Sequence, residues 1–160
     1  MEGLSASAAR VQQALRARGL DAAVRELSDS ARTAPEAAVA LGCDVAQIAK
    51  SLVFRGQRSE APVLVIASGA DRVDERRLAA VVGEPVARAD AEFVRARTGF
   101  GIGGVPPVGH AEPIRTLVEE RLLARDPIWA AAGNPHAVFP LTADELRRVT
   151  GAEVVAVAQR

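Results

Sequence analysis

Ser51-Leu-Val-Phe54, the polar stretch from Gly56 to Glu60, and Pro62-Val-Leu-Val-Ile-Ala67 are the residues on which the fold of this 160-residue chain turns. The run after Pro62 is continuously apolar, so it predicts a strand covered on both faces. Ser51 to Phe54 predicts a second strand, and a hairpin across the polar stretch is the simplest connection. Downstream, Asp71 or Asp74 can cap a helix that turns Leu78, Val81 and Val82 inward and ends at Gly83. Asp90 can cap another that carries Phe93 and Val94. Strands are expected over residues 114–118, 128–132 and 137–141. Thr142-Ala-Asp-Glu145 then forms a capping box for a last helix, which ends at Gly151 before a closing strand over 154–157.

Upstream of the hairpin, Asp44 and Gln47 repeat the capping logic in a short helix that delivers the chain to Lys50. Thr33-Ala-Pro-Glu36 is a capping box with proline in the first turn, and opens a helix to Gly42. Residues 20–27 read as extended. An amphipathic helix within residues 1–19 places Leu4, Ala8, Val11 and Leu15 on one face, with Ser5 or Ser7 as its cap and Gly19 as its end. No repeat or long linker interrupts the series, so residues 1–160 are expected to form one compact α/β domain with a mixed sheet. Hairpin-length connections near Gly56 and Gly133 argue for antiparallel pairs and against a fully parallel doubly wound sheet.

A domain of this length buries roughly 68–70% of the surface its unfolded chain exposes, so it needs no staples. The lone Cys43 has no partner for a disulfide and no spacing for a sulfur-rich zinc site, which points to a reducing cytoplasm. The N-terminal residues mix charges among apolar side chains and lack the uninterrupted run of a signal peptide or membrane span. Formal charge is balanced at zero, whereas a protein that grips long nucleic acid carries a basic excess, so DNA is excluded as a partner and any RNA contact should be local. Nineteen of the twenty basic residues are arginine, and Lys50 is the only lysine. In such a background a single lysine either marks a place where a compact ammonium is wanted and a planar guanidinium does not fit, or stands there by chance.

Gly99-Phe-Gly-Ile-Gly-Gly104 satisfies the GxGxxG pattern of dinucleotide-binding folds, but Pro106 and Pro107 follow at once and deny the required helix its donors. What remains is a loop in which Gly103, Gly104 and Gly109 allow close approach while Pro106 and Pro107 stiffen it around Val105. Such a loop can aim N–H groups at an ester carbonyl or a phosphate, and a tight structural turn has the same spacing. Lys50 stands at a helix-to-strand junction, from which it can reach a cleft or simply meet solvent. His110 and His136 fit no paired-ligand spacing, so no metal is expected. His136 could sit at a pocket rim, although a surface or satisfied core histidine is the commoner use. No serine lies in GxSxG, Cys43 reads as a small core residue, and Asp71 and Asp74 read as caps.

Taken in order, Ala49-Lys-Ser-Leu-Val-Phe54, Gly103-Gly-Val-Pro-Pro-Val-Gly109, Ala130-Ala-Ala-Gly-Asn-Pro-His136 and Leu146-Arg-Arg-Val-Thr-Gly-Ala152 resemble the YbaK family of prolyl-tRNA synthetase-associated editing domains. The resemblance runs over about residues 33–157 and is closer to free-standing members than to inserted ones. It implies a mixed α/β fold, a largely antiparallel sheet or partial barrel surrounded by helices. It implies hydrolysis, without cofactor, of the ester that joins a wrong amino acid to a tRNA 3′ end, with prolyl-tRNA synthetase as an expected associate. Lys50 matches the family's pocket lysine, and Gly103 and Pro107 match the ends of its GxxxP loop. Ser51, Gly104, Val105, Pro106 and His136 are the remaining expected substrate contacts. Family mechanisms use the terminal 2′-hydroxyl of the tRNA to assist water, in keeping with a chain that has no visible triad. Members that edit alanine on proline tRNA often carry asparagine after the lysine, where this chain has Ser51. Alanine, cysteine, serine and 2-aminobutyrate are therefore all expected candidates. The competing reading is a non-catalytic module that binds an aminoacyl or nucleotide ligand in the same cleft.

Overall fold

The computed structural model describes residues 3–28 and 33–160; the first two residues of the expected N-terminal helix lie outside them. The hairpin is present. Strand β2 (Ala49–Gly56) runs antiparallel to β3 (Pro62–Ser68), with Lys50 opposite Ala67, Ser51 opposite Ile66 and Val53 opposite Leu64. Every residue of β3 is buried, as its unbroken apolar run requires. Strand β4 (Val86–Arg88) flanks β2, while β5 (Arg115–Glu119) and β8 (Glu153–Val155) extend the other side in parallel, which gives the order β4-β2-β3-β5-β8. A second sheet of β1 (Arg25–Glu26), β7 (Ala137–Leu141) and β6 (Ile128–Ala131) is wholly antiparallel. Both sheets are open, so the architecture is mixed and largely antiparallel but not a barrel. Their meeting point is a single bridge between Ile48 and Trp129.

The helices begin where the capping residues stand. Ser5 caps α1 (Ala6–Ala17), the Thr33/Glu36 box caps α2 (Ala34–Leu41), Asp74 caps α3 (Glu75–Val82), Asp90 caps α4 (Ala91–Thr98) and the Thr142/Glu145 box caps α5 (Ala143–Thr150). One face of β2 and β3 joins α1, α5 and the second sheet in the main core, which holds Leu15, Ile66, Phe139 and Leu146. The opposite face packs Phe54, Val63 and Val65 against Leu78 of α3. A small cluster sets Ala37 and Ala38 of α2 against Ile48 and Trp129. Among the described residues no helix is long and apolar enough to cross a membrane.

Several boundaries differ from the sequence expectation for local reasons. Of the extended stretch 20–27 only Arg25 and Glu26 pair as a strand, because the buried Gln12 side chain takes the partner's place: it donates to Ala22 O at 2.8 Å and accepts from Val24 N–H at 3.2 Å. The closing strand stops at Val155 because the next amides, Val157 and Ala158, donate instead to the fully buried Glu119 carboxylate. Asp71 does not cap α3 but pairs with Arg121 at 3.2 Å. The segment before Lys50 is a 3-10 turn, Val45–Gln47, held by the expected Asp44/Gln47 box. Three-residue β4 had no periodicity to announce it.

Candidate active site

β4 covers β2 only at Phe54, Arg55 and Gly56, and β6 meets it only at the Ile48–Trp129 bridge, so among the described residues the edge of β2 from Lys50 to Leu52 pairs with no strand on that side. A cavity of about 370 Å³ opens along this bare edge. Its far wall is Gly103 and Val105 of the glycine-proline loop with Trp129 and Ala130 of β6, and α2 forms the rim. Val53 O accepts from Ala89 N–H at 3.0 Å on the β4 side, whereas Ile48 O accepts from Gly69 N–H at 2.7 Å on the β3 side. Alternation along the strand therefore turns the Ser51 amide and carbonyl towards the cavity, where no strand competes for them. These are preset hydrogen-bonding groups on a rigid element.

Lys50 and Ser51 both line the cavity, from opposite faces of β2. Lys50 shares its face with Leu52 and Phe54, and its ammonium is held below the ordinary lysine range. Desolvation is the main cause, and the nearby Arg72 and Arg88 charges add to it against the opposing pull of Asp71. Asp71 is already engaged by Arg121, and among the described residues no side-chain hydrogen bond or ion pair engages Lys50. Arg88 lines the cavity too, with its guanidinium 5.7 Å above the Phe54 ring. Among the described residues no carboxylate, imidazole or thiol lines this space.

The glycine-proline loop is divided between a front and a back. Gly103 and Val105 face the cavity. Gly104 is pressed against the turn after β6: its carbonyl accepts from Gly133 N–H at 2.9 Å, and a Cβ at this position would stand 2.6 Å from the Asn134 Cα. Asn134 in turn donates to Ser5 Oγ and Ser7 Oγ, each at 3.0 Å, which ties the start of α1 to the same turn. Behind the loop, His110 Nε2 lies 2.7 Å from Pro106 O. Burial pushes the imidazole below its ordinary range, against the opposing effect of that hydrogen bond. Pro107 and His110 line a separate depression on this back side. The glycines follow α4 rather than opening a helix, which is the physical reason that GxGxxG carries no dinucleotide site here.

Of the expected site residues, the fold brings together Lys50, Ser51, Gly103 and Val105. Gly104 packs beneath that wall, Pro106 holds His110, and Pro107 faces away. His136 is exposed in the β6–β7 turn, its amide donating to Asn134 Oδ1 at 2.8 Å, and is absent from the cavity lining. Its short turn points it outward, so a rim position read from linear proximity does not follow. Arg88, Ile102 and Trp129 line the cavity without having been anticipated. As the single tryptophan, Trp129 carried a legible signal; Arg88 carried none, because its strand is three residues long.

A family model described as aminoacyl-tRNA editing domain matches residues 28–149. The uncharacterized protein YwhH of Bacillus subtilis (strain 168) is 29% identical over 131 residues, which is 82% of this chain and 83% of that protein. The proline–tRNA ligase of Limosilactobacillus fermentum is 32% identical over 103 residues, 61% of this chain but 18% of the ligase. A crystal structure of a proposed trans-editing enzyme for prolyl tRNA synthetase superposes with a TM-score of 0.93 at 46% identity, covering 99% of this chain and 100% of the other. With this match spanning most of its length, the chain belongs to the aminoacyl-tRNA editing domain family.

Proposed function

We propose that the protein is a trans-acting deacylase that hydrolyses the ester of mischarged tRNA, with proline tRNA carrying a small wrong amino acid as its substrate. The names of two relatives point to proline tRNA. The observation that carries the reading is the meeting of the Lys50 ammonium, the bare edge of β2 and Gly103 in one small-walled cavity. An aminoacyl ester is already activated and needs placement more than an exotic catalyst; placement supplies about 7–11 kcal/mol of a barrier in favourable cases. Lys50 offers a point charge to an ester or phosphate oxygen, and the Ser51 and Gly103 backbones orient the carbonyl.

No described lining residue is a general base in its usual form, so the proton of the attacking water is expected to go elsewhere. The free 2′-hydroxyl of the terminal adenosine is the nearest candidate in an ester of the 3′ position. The apolar wall discriminates by size, at about 1–3 kcal/mol per methylene, and so acts by refusing the bulkier correct amino acid. Val105, Gly104 and Pro106 act here as wall and support, whereas Pro107 and His136 have no assigned contact.

Release of amino acid from proline tRNA charged with alanine, cysteine, serine or 2-aminobutyrate tests the reading, with wild type beside K50A. Lysine-dependent release is expected, together with loss of turnover on tRNA ending in 2′-deoxyadenosine. Retained binding with no release from any ester would instead identify a binding module.

A further inference from the structure

Ser51 Oγ is the one buried side-chain polar atom among the described residues that has no hydrogen-bond partner. Buried hydroxyls are almost always paired, because an unmade bond in an apolar setting is costly. The residue that carries it lines the cavity. Ser51 stands opposite Ile66 in the ladder and on the face of Ala49 and Val53, which belong to the main core with Val105, Ala130 and Ala137. Lys50 occupies the other face. A ligand that straddles the bare edge of β2 therefore meets an ammonium on one side and a hydroxyl, in apolar surroundings, on the other.

Two other polar side chains around the cavity, Thr33 and Arg88, are already engaged. Thr33 Oγ1 bonds Glu36 Oε1 at 2.9 Å and accepts from the Glu36 amide, and the Arg88 guanidinium stacks on Phe54. The group that meets Ser51 is also constrained. Among the described residues no carboxylate lines the cavity to balance a substrate ammonium beside the core, so the complementary group is neutral and polar. Alanine and proline side chains offer no such group.

We propose that Ser51 is a specificity-determining residue whose Oγ hydrogen-bonds the side-chain hydroxyl of a small β-hydroxy acyl group, so that the seryl ester is preferred to the alanyl ester. The assignment rests on the deacylase reading above. Sites built to bond a hydroxyl reject the analogue that lacks it far better than apolar pockets reject an added methylene.

The experiment compares kcat/KM for proline tRNA charged with serine and with alanine, in wild type and S51A. Wild type should favour the seryl ester by about tenfold or more, the ratio one well-placed hydrogen bond supports, and S51A should bring the ratio close to one. The variant should fold, because the change removes an unpaired hydroxyl, and its melting temperature checks this. Trp129 lines the cavity and is the only tryptophan, so its fluorescence reports binding of non-hydrolysable 3′-amide analogues of seryl- and alanyl-adenosine. A seryl preference that S51A abolishes supports the assignment. Equal effects on both esters, or none, overturn it. A Ser51-dependent seryl preference in binding without turnover by wild type overturns the deacylase reading and keeps Ser51; loss of both overturns both.

Discussion

Lys50 holds a charge where charge is disfavoured. Its depressed pKa follows mainly from desolvation, so the folded protein tolerates the neutral amine better than water does. Between the lowered folded value and the ordinary value of 10.5, the unfolded chain binds more protons, and stability rises with pH across that window. Deacylation should move the opposite way: after subtraction of uncatalysed hydrolysis, the rate should decline with rising pH before an ordinary lysine titrates. A rate that stayed flat to the top of that window would show that the ammonium is not used. K50A should lose at least ~100-fold in kcat/KM, about 2.7 kcal/mol, as when a single charge-stabilising donor is removed. K50R should recover little of it, because the guanidinium is larger and planar. K50M should keep or raise the melting temperature while losing activity, since it removes the desolvation penalty with the charge.

At the scale of elements, the wall opposite Lys50 is placed by contact between two loops. Gly104 has no room for a side chain against the Asn134 backbone, 2.6 and 2.7 Å from the Cα and N that a Cβ would meet. G104A should therefore shift the loop, cost about 1–3 kcal/mol as overpacking does, and reduce turnover through Gly103 and Val105. Denaturant unfolding measured beside kinetics separates the two effects. Thr142 is the matching control: T142A removes a capping box remote from the cavity lining, and should cost about 1 kcal/mol while turnover below the melting range stays at the wild-type value. Equal turnover by G104A and wild type would mean that the loop contact does not position the site.

Taken whole, the molecule is electrically balanced, with 20 basic and 20 acidic side chains. Binding of the charged tRNA should therefore depend weakly on salt, with a log–log slope of about −2 or shallower, as for a few phosphate contacts at one end of the RNA. A slope of about −5 or steeper, measured by titration at several salt concentrations, would demand an extended basic surface that the charge balance gives no reason to expect. The buried Glu119 carboxylate fastens the chain after β8 to the sheet through the Val157 and Ala158 amides. E119A should leave both amides unpaired at about 1–3 kcal/mol each, and hydrogen exchange at residues 157 and 158 should accelerate more than in β3.

Much of this was legible in the sequence because it is local. Capping residues mark the starts of all five helices among the described residues, the unbroken apolar run of β3 announces a strand buried on both faces, and proline after glycine removes a dinucleotide loop. The single lysine and the ordered motifs pointed to the family and to half of the cavity. Tertiary structure alone decided the rest. That Ser51 lacks a partner, that Arg88 and Trp129 join Lys50, and that His136 and Pro107 do not, depends on which strand edges stay bare and which loops touch. Short strands such as β4 and side-chain substitutes such as Gln12 have no periodic signature, because long-range pairing rather than local pattern stabilises them. The sequence determined the capping signals and apolar pattern along the chain; the bare edge that makes a site of them exists only when the sheets have formed.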